Sequence, residues 1–204
     1  YEAIDPVRFI GNHSSGLMGI EIARAFADQG ADVTLVLGPS NISPNRNNIK
    51  VLPVTSAKEM YDAVMTFFPK TDIAVLSAAV ADFRPETAAE QKIKKNPETD
   101  ILTLKLVKTD DILKSVGNKK TENQVVVGFA LETENGLENA KKKLHTKNID
   151  LIVLNEMNES GVGFKTKTNK VSIITKDDKV TEFELKPKNE VALDVLEAIY
   201  QYIN

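Results

Sequence analysis

The chain has no cysteine among its 204 residues. Disulfides, thiol nucleophiles and thiolate-held metals are therefore excluded. The absence is compatible with a reducing cytosol, and the expected location is cytoplasmic. No apolar run approaches the ~20 residues needed to span a bilayer, and no signal-peptide pattern appears. Charge of one sign is not in excess either: 26 Lys and Arg face 29 Asp and Glu, for a net charge of −3 and a pI near 5.6. Nucleic acid and membrane are thus not expected partners, and any anion must be held by a local site. There is no internal repeat and no low-complexity segment. No His/Asp/Glu cluster has metal-ligand spacing, so the metal ligands stay unknown and any metal is expected to arrive with a nucleotide. Neither G-x-G-x-x-G nor G-x-x-x-x-G-K-S/T is found.

What is present is an ordinary globular composition, 42% hydrophobic and 27% charged. At this length folding buries roughly 70% of the unfolded surface without staples, and residues 1–204 are expected to form one domain. The residues up to Asn12 are turn-like. Ile22, Ala23, Phe26 and Ala27 fall at helical spacing, which predicts a helix over Leu17–Gln29 with Gly30 as its stop. Val33–Leu37 and Val51–Val54 are apolar strands. Ser56 and Glu59 have capping-box spacing, so a helix should run over Ala57–Phe68, followed by a strand at Ile73–Leu76. Leu102, Leu104 and Leu106 alternate with polar residues as a half-wet strand does. A short helix over Asp110–Val116, a buried strand at Val125–Ala130, an amphipathic helix over Glu134–Lys147 and a strand at Leu151–Leu154 come next. The segment Asn155–Thr168, with Gly161 and Gly163, reads as turns. Lys170–Thr175 and Val180–Leu185 flank a turn and predict a hairpin, before a last helix over Asn189–Tyr202. Helices alternating with buried strands predict an α/β fold, a doubly wound Rossmann-like and mostly parallel sheet. The late β-hairpin would either clasp a partner or cover a sheet edge.

The chemistry concentrates in a few stretches. Ile73–Lys95 runs from a buried strand through small Ser77, Ala78 and Ala79 to Asp82, Arg84 and Pro85, then to Lys92, Lys94 and Lys95. Small residues at a strand end let a ligand approach the backbone, and the carboxyl end of such strands is where α/β sheets bind ligands. Asp82 is suited to a metal, a ribose or a substrate amide, or to a plain pair with Arg84. The lysine cluster alone reads most simply as a solvated surface. Gly11, Gly16 and Gly19, with Ser14 and Ser15, open a helix whose free amides suit an anion; the plain alternative is a tight turn with a serine cap. Asn12 is a neutral donor for a carbonyl oxygen, and His13 only a hydrogen-bonding neighbour. Lys141, Lys142, Lys143 and Lys147 lie on a wet helix face, although Lys143 and Lys147 are four apart and can reach one ligand. Phe129, at a strand end, is core or a stacking platform.

In sum, IDPVRFIGNHSSGLMG (Ile4–Gly19), SAAVADFRP (Ser77–Pro85), KIKK (Lys92–Lys95), GFALET (Gly128–Thr133) and NIDLIVLN (Asn148–Asn155) resemble phosphopantothenoylcysteine synthetase, the phosphopantothenate–cysteine ligase of bacterial, CTP-dependent type. The resemblance implies a ligase that joins 4′-phosphopantothenate to L-cysteine with CTP. The route would pass through an acyl-cytidylate, releasing pyrophosphate and then CMP, in coenzyme A biosynthesis. It implies that Asn12 holds the acyl-cytidylate and assists amide formation, with Ala78, Ala79 and Asp82 lining the site for substrate and nucleotide. Lys92 would sit on the triphosphate from a mobile lid, Thr87–Lys95. Asp110, Asp111, Ile112, Leu113 and Phe129 would surround cytosine and ribose, with Lys143 and Lys147 on the nucleotide. It further implies Mg²⁺, a homodimer using the late hairpin, and FMN only in a fused flavin-dependent decarboxylase domain. Members open with a strand and a Gly-Gly-Thr turn where this sequence opens at Tyr1, so a first strand is expected to be missing. Leu17 stands where members commonly carry lysine. Two other classes remain open from the residues: a nicotinamide-dependent oxidoreductase, disfavoured because Val33–Leu37 ends in Gly38–Pro39 and not in an acid, and a non-catalytic nucleotide-binding dimer module.

Overall fold

The computed structural model describes residues 1–94, 101–156 and 167–204. Two short strands, β1 (Glu2–Ala3) and β2 (Phe9–Ile10), pair antiparallel at the start. They are followed by α1 (Leu17–Asp28), β3 (Val33–Leu37), β4 (Ile49–Pro53), α2 (Ala57–Phe67) with a 3₁₀ turn over Phe68–Lys70, β5 (Ile73–Leu76), β6 (Phe83–Pro85) and β7 (Leu106–Lys108). Then come α3 (Ile112–Lys119), β8 (Val125–Glu132), α4 (Gly136–Thr146), β9 (Leu151–Glu156), β10 (Thr168–Asn169), β11 (Val171–Thr175), β12 (Val180–Glu182), β13 (Lys186–Pro187) and α5 (Lys188–Ile203).

The central sheet has the order β12-β11-β9-β8-β5. β5, β8 and β9 run parallel, and β11 and β12 add antiparallel at the β9 edge. Strand β8 is apolar over Val125–Val127 because it is covered on both faces, the condition that makes parallel strands near-continuous hydrophobic runs. Val126, Ala130, Ile152 and Leu154 pack towards Phe68, Ile112, Val116, Ala140 and Leu144, so α3 and α4 lie on that side together with Met60 and Val64 of α2. Val127, Leu151 and Val153 pack towards Val191, Val195 and Ile199 of α5 and towards Met18 and Phe26 of α1. Gly128 lets the layers approach closely: a Cβ there would lie 2.8 Å from the end of the Ile149 side chain and 2.9 Å from that of Leu113, so these side chains would have to shift. At the pole where the parallel strands begin, Asp150 pairs with Lys120 and accepts from the Val126 amide at 2.8 Å.

The α/β class, the flanking helices and the capping box are as expected; Ser56 accepts from the Glu59 amide and Glu59 reaches back. Three local expectations are corrected. The start is not all loop, because the Asp5–Arg8 turn closes a hairpin. Of the alternating leucines only Leu106 lies in a strand, and β7 pairs with β6, in which Pro85 is itself a strand residue. The short helix starts at Ile112, after Asp111 caps it. Of the two roles expected for the late hairpin, the structure shows it covering a sheet edge, since β11 pairs with β9 and continues the central sheet. Strands β3 and β4 form a parallel pair of their own, not hydrogen-bonded to β5.

Candidate active site

The carboxyl ends of β5 and β8 gather most of the expected residues. Helix α1 approaches the end of β5 closely: a Cβ on Gly19 would lie 3.0 Å from the Ser77 hydroxyl. Its N-cap is Gly16 at φ 74°, with no side-chain cap, so neither serine acts as N-cap. Ser14 and Ser15 instead accept weakly from the amides of Gly16 and Leu17. Asn12 lies exposed before this helix and donates through Nδ2 to the carbonyl of Val80 at 3.1 Å and of Ala79 at 3.4 Å. The glycine-serine loop and the Ser77–Asp82 segment, 67 residues apart, are thereby one wall.

Thr109 fastens the next wall. Its amide donates to the Asp82 carbonyl at 3.0 Å and its hydroxyl to that of Ala81 at 2.7 Å. This places exposed Asp82 beside exposed Asp110 and Asp111. Arg84 does not turn to Asp82; it donates to the carbonyls of Pro85 and Glu86. Asp111 caps α3 by accepting from the Lys114 amide at 2.9 Å, and its other oxygen pairs with Lys147. Burial raises the Asp111 carboxyl, but Lys147 and the Lys114 amide outweigh it and hold the group below the ordinary carboxylate range. Lys143 donates to the Phe129 carbonyl at 2.9 Å. Burial pushes its ammonium below the usual lysine value, opposed by Glu132 and, more weakly, by Asp111 and Asp82. Asp82, Asp111, Lys143 and Lys147 are thus one electrostatic neighbourhood.

Not every expected residue faces it. Ile112 is a core residue, and Leu113 packs beside it under β8. The Phe129 ring lies on the α1/α5 face with Met18 and Val75, whereas Lys143 meets only the Phe129 carbonyl from the α4 face. A stacking ring and a cationic grip on the same side of the sheet are therefore not what the fold presents. The expected mobile lid is tied down as far as it is described: Ala89 donates to the Ile4 carbonyl and Ile93 to the Asp5 carboxylate, while Arg8 donates to the Ile93 carbonyl. Lys92 and Lys94 are exposed; Lys95, Gly161 and Gly163 lie outside the described residues.

Asp5 and Arg8 were missed by motif reasoning, as was Glu2, whose buried carboxylate accepts from the Ala57 amide at 2.7 Å at the start of α2. The available signal was an Asp-Pro-x-Arg turn, in which an aspartate bonds amides two and three residues on. Among the described residues no three acidic or histidine side chains converge on a possible metal. Exposed carboxylates beside two lysines fit Mg²⁺ borne by a polyphosphate rather than a protein cage. Cavities of about 270 Å³ beside Arg24 and Arg46 and about 520 Å³ beside Thr175 and Tyr202 involve none of the expected residues.

The family described as "DNA/pantothenate metabolism flavoprotein C-terminal domain" matches residues 1–203. The chain belongs to this family. It is 43% identical over 198 residues to the coenzyme A biosynthesis bifunctional protein CoaBC of Bacillus subtilis, covering 97% of this chain and 48% of that protein. It is 47% identical over 203 residues to a protein named cysteine/cysteine sulfinic acid decarboxylase from an unknown prokaryotic organism, covering 100% of this chain and 56% of that one. The chain spans about half the length of the curated relatives it matches. The crystal structure of the C-terminal domain of CoaBC superposes with a TM-score of 0.81 at 39% identity, over 99% of this chain and 91% of that one. The family resemblance of the motif blocks and the α/β fold therefore hold. Among the described residues no helix is long and apolar enough to cross a membrane.

Proposed function

We propose that residues 1–204 are one phosphopantothenate–cysteine ligase domain, which joins 4′-phosphopantothenate to cysteine at the expense of CTP in coenzyme A biosynthesis. The observation that carries this reading is the Asn12 bridge to Ala79 and Val80, which unites the two most specific motif blocks at the strand ends. The substrate carboxylate would attack the α-phosphate of CTP, forming an acyl-cytidylate and expelling pyrophosphate. The amine of cysteine would then attack the acyl carbon, lose a proton and expel CMP. Such chemistry needs positioning, cations on phosphate and a donor towards the acyl oxygen, not a protein thiol.

In this reading Lys143 and Lys147 exchange their present partners, the Phe129 carbonyl and Asp111, for phosphate oxygens. Lys92 supplies a further cation, and Asn12, keeping the 3.1 Å bond to Val80 and releasing the longer 3.4 Å contact with Ala79, donates its second N–H towards the acyl oxygen. Asp110 and Asp111, with the backbone through Ile112 and Leu113, would face the nucleoside. Mg²⁺, when bound with CTP, would neutralise phosphate charge. FMN would enter only if a flavin-dependent decarboxylase domain is fused outside residues 1–204. The nicotinamide alternative gains nothing from β3, which ends at Gly38–Pro39.

A homodimer is part of the proposal. Phe83 and Leu106 are exposed at 46% and 43%, and their register places them on one face of the two-stranded β6–β7 ribbon. They favour that ribbon over the late hairpin, which is woven into the central sheet. The deciding experiment is incubation with CTP, Mg²⁺ and phosphopantothenate, without cysteine, and mass spectrometry for the acyl-cytidylate. Pyrophosphate release that ignores phosphopantothenate overturns the ligase reading.

A further inference from the structure

The first seven residues after Tyr1 hold a buried carboxylate with an unusual set of partners. The Asp5 side chain is fully inaccessible, against 40% exposure for its partner Arg8. Its Oδ1 accepts from the amides of Val7 and Arg8, both at 2.8 Å, closing the turn between β1 and β2. Its Oδ2 does something different. It accepts from Arg8 Nε at 2.9 Å and Nη2 at 2.5 Å, and from the amide of Ile93 at 3.1 Å, 88 residues away. The same Arg8 Nη2 donates to the Ile93 carbonyl at 2.8 Å. Ile93 is thus held through both of its backbone groups, and the Ala89 amide on the Ile4 carbonyl holds the segment a second time at 2.9 Å.

Ile93 stands between Lys92 and Lys94. The hairpin that grips it leads through β2 to Asn12 within four residues of Arg8. A lysine on a free loop carries the entropy of that loop into any complex, whereas one on a clamped backbone retains only its own rotamers. Buried Asp5 offers a ligand no surface, and the Arg8 guanidinium joins it to Ile93, bonding Asp5 through Nε and Nη2 and the Ile93 carbonyl through Nη2. We infer that Asp5 is a positioning residue: through its Oδ2 and the Arg8 guanidinium it locks the Ile93 backbone and so presents Lys92 to a polyphosphate on the Asn12 edge. This rests on the reading of Lys92 as a phosphate-binding cation, and it assigns Asp5 a role that neither contact with substrate nor the motif itself specifies.

The two oxygens separate the clamp from the turn. In Asp5→Asn the amide oxygen can keep the Val7 and Arg8 amides, while the amide nitrogen cannot accept from Ile93 or Arg8. The expected results are faster hydrogen exchange in residues 89–94 and about tenfold weaker binding of inorganic tripolyphosphate and of CTP, measured by calorimetry. Lys92→Ala should show a similar loss, and the double variant no more than the larger single loss, because both act on one contact. Unchanged exchange, unchanged tripolyphosphate affinity, or losses that simply add would each overturn the inference. None of these readouts requires turnover. Failure of the ligase reading appears separately, as wild-type protein that releases no phosphopantothenate-dependent pyrophosphate.

Discussion

The side-chain amide of Asn12 donates to the carbonyl of Val80 at 3.1 Å, with Ala79 at 3.4 Å. An aspartate at this position cannot donate, and its carboxylate would face two carbonyl oxygens. Asn12→Asp is therefore expected to let the acyl-cytidylate form while amide formation falls by about 100-fold or more, the usual cost of losing one donor at a reacting carbonyl. Single-turnover assays of the two half-reactions separate these effects; equal loss in both would refute the assignment.

Lys92→Ala is expected to act on the other half-reaction. A charge-assisted hydrogen bond contributes about 1.5–3 kcal/mol, so acyl-cytidylate formation should slow by about 10–100-fold, with cysteine capture from preformed intermediate nearly unchanged. Quenched-flow measurement of pyrophosphate checks this.

Lys143 gives a pH signature in which binding and stability move oppositely. Burial lowers its folded-state value below 10.5. Phosphate binding through the ammonium should therefore weaken as pH rises through that lowered value, earlier than for an exposed lysine. The unfolded chain holds this proton up to 10.5, so between the two values it binds more protons than the fold, and the group's contribution to stability rises with pH. Lys143→Met should reduce both trends relative to the parent, seen by CTP titration and thermal melts across alkaline pH, with the remainder left by buried Lys188 and the other phosphate-binding lysines. A variant that keeps the wild-type alkaline loss of CTP affinity would remove Lys143 from the site.

Phe83→Asp should dissociate the proposed dimer by placing a charge on the exposed face of the β6–β7 ribbon. Light scattering should report a mass near twice the 22.5 kDa of the chain for the parent and near that value for the variant. A parent that stays monomeric at high concentration disproves the dimer.

Asp150→Ala should be a pure stability variant. It strands Lys120 and the Val126 amide at the pole away from Asn12. Removing one partner of a buried pair costs about 3–5 kcal/mol, which for a chain of this size lowers Tm by about 2–4 °C per kcal/mol. Melting curves test this, and a loss under 1 kcal/mol would contradict the burial argument.

Much was legible along the chain because it is a local property. Apolar spacing placed α1 and α5, the Ser56–Glu59 capping box marked α2, and the both-faces-buried run Val125–Val127 announced a parallel strand. The motif blocks pointed to the family, and with it to Asn12, Lys143, Lys147 and Asp111. Short or half-covered elements escaped. The leucines at 102–106 alternate like a strand, yet only Leu106 has a partner to pair with, and a strand forms only where another strand completes its hydrogen bonds.

The sequence by itself determined the α/β class, which rests on spacing within each segment, and the family, which rests on five motif blocks in order; the resemblance to that family then supplied the candidate residues. Only the tertiary structure decided which face each residue serves: that Phe129 turns its ring to α1 while lending its carbonyl to Lys143, that Ile112 is core, and that β11 continues the main sheet. It alone tied Ile93 to Asp5. Contacts across 88 residues depend on where the chain returns in space, and neither periodicity nor composition encodes that return.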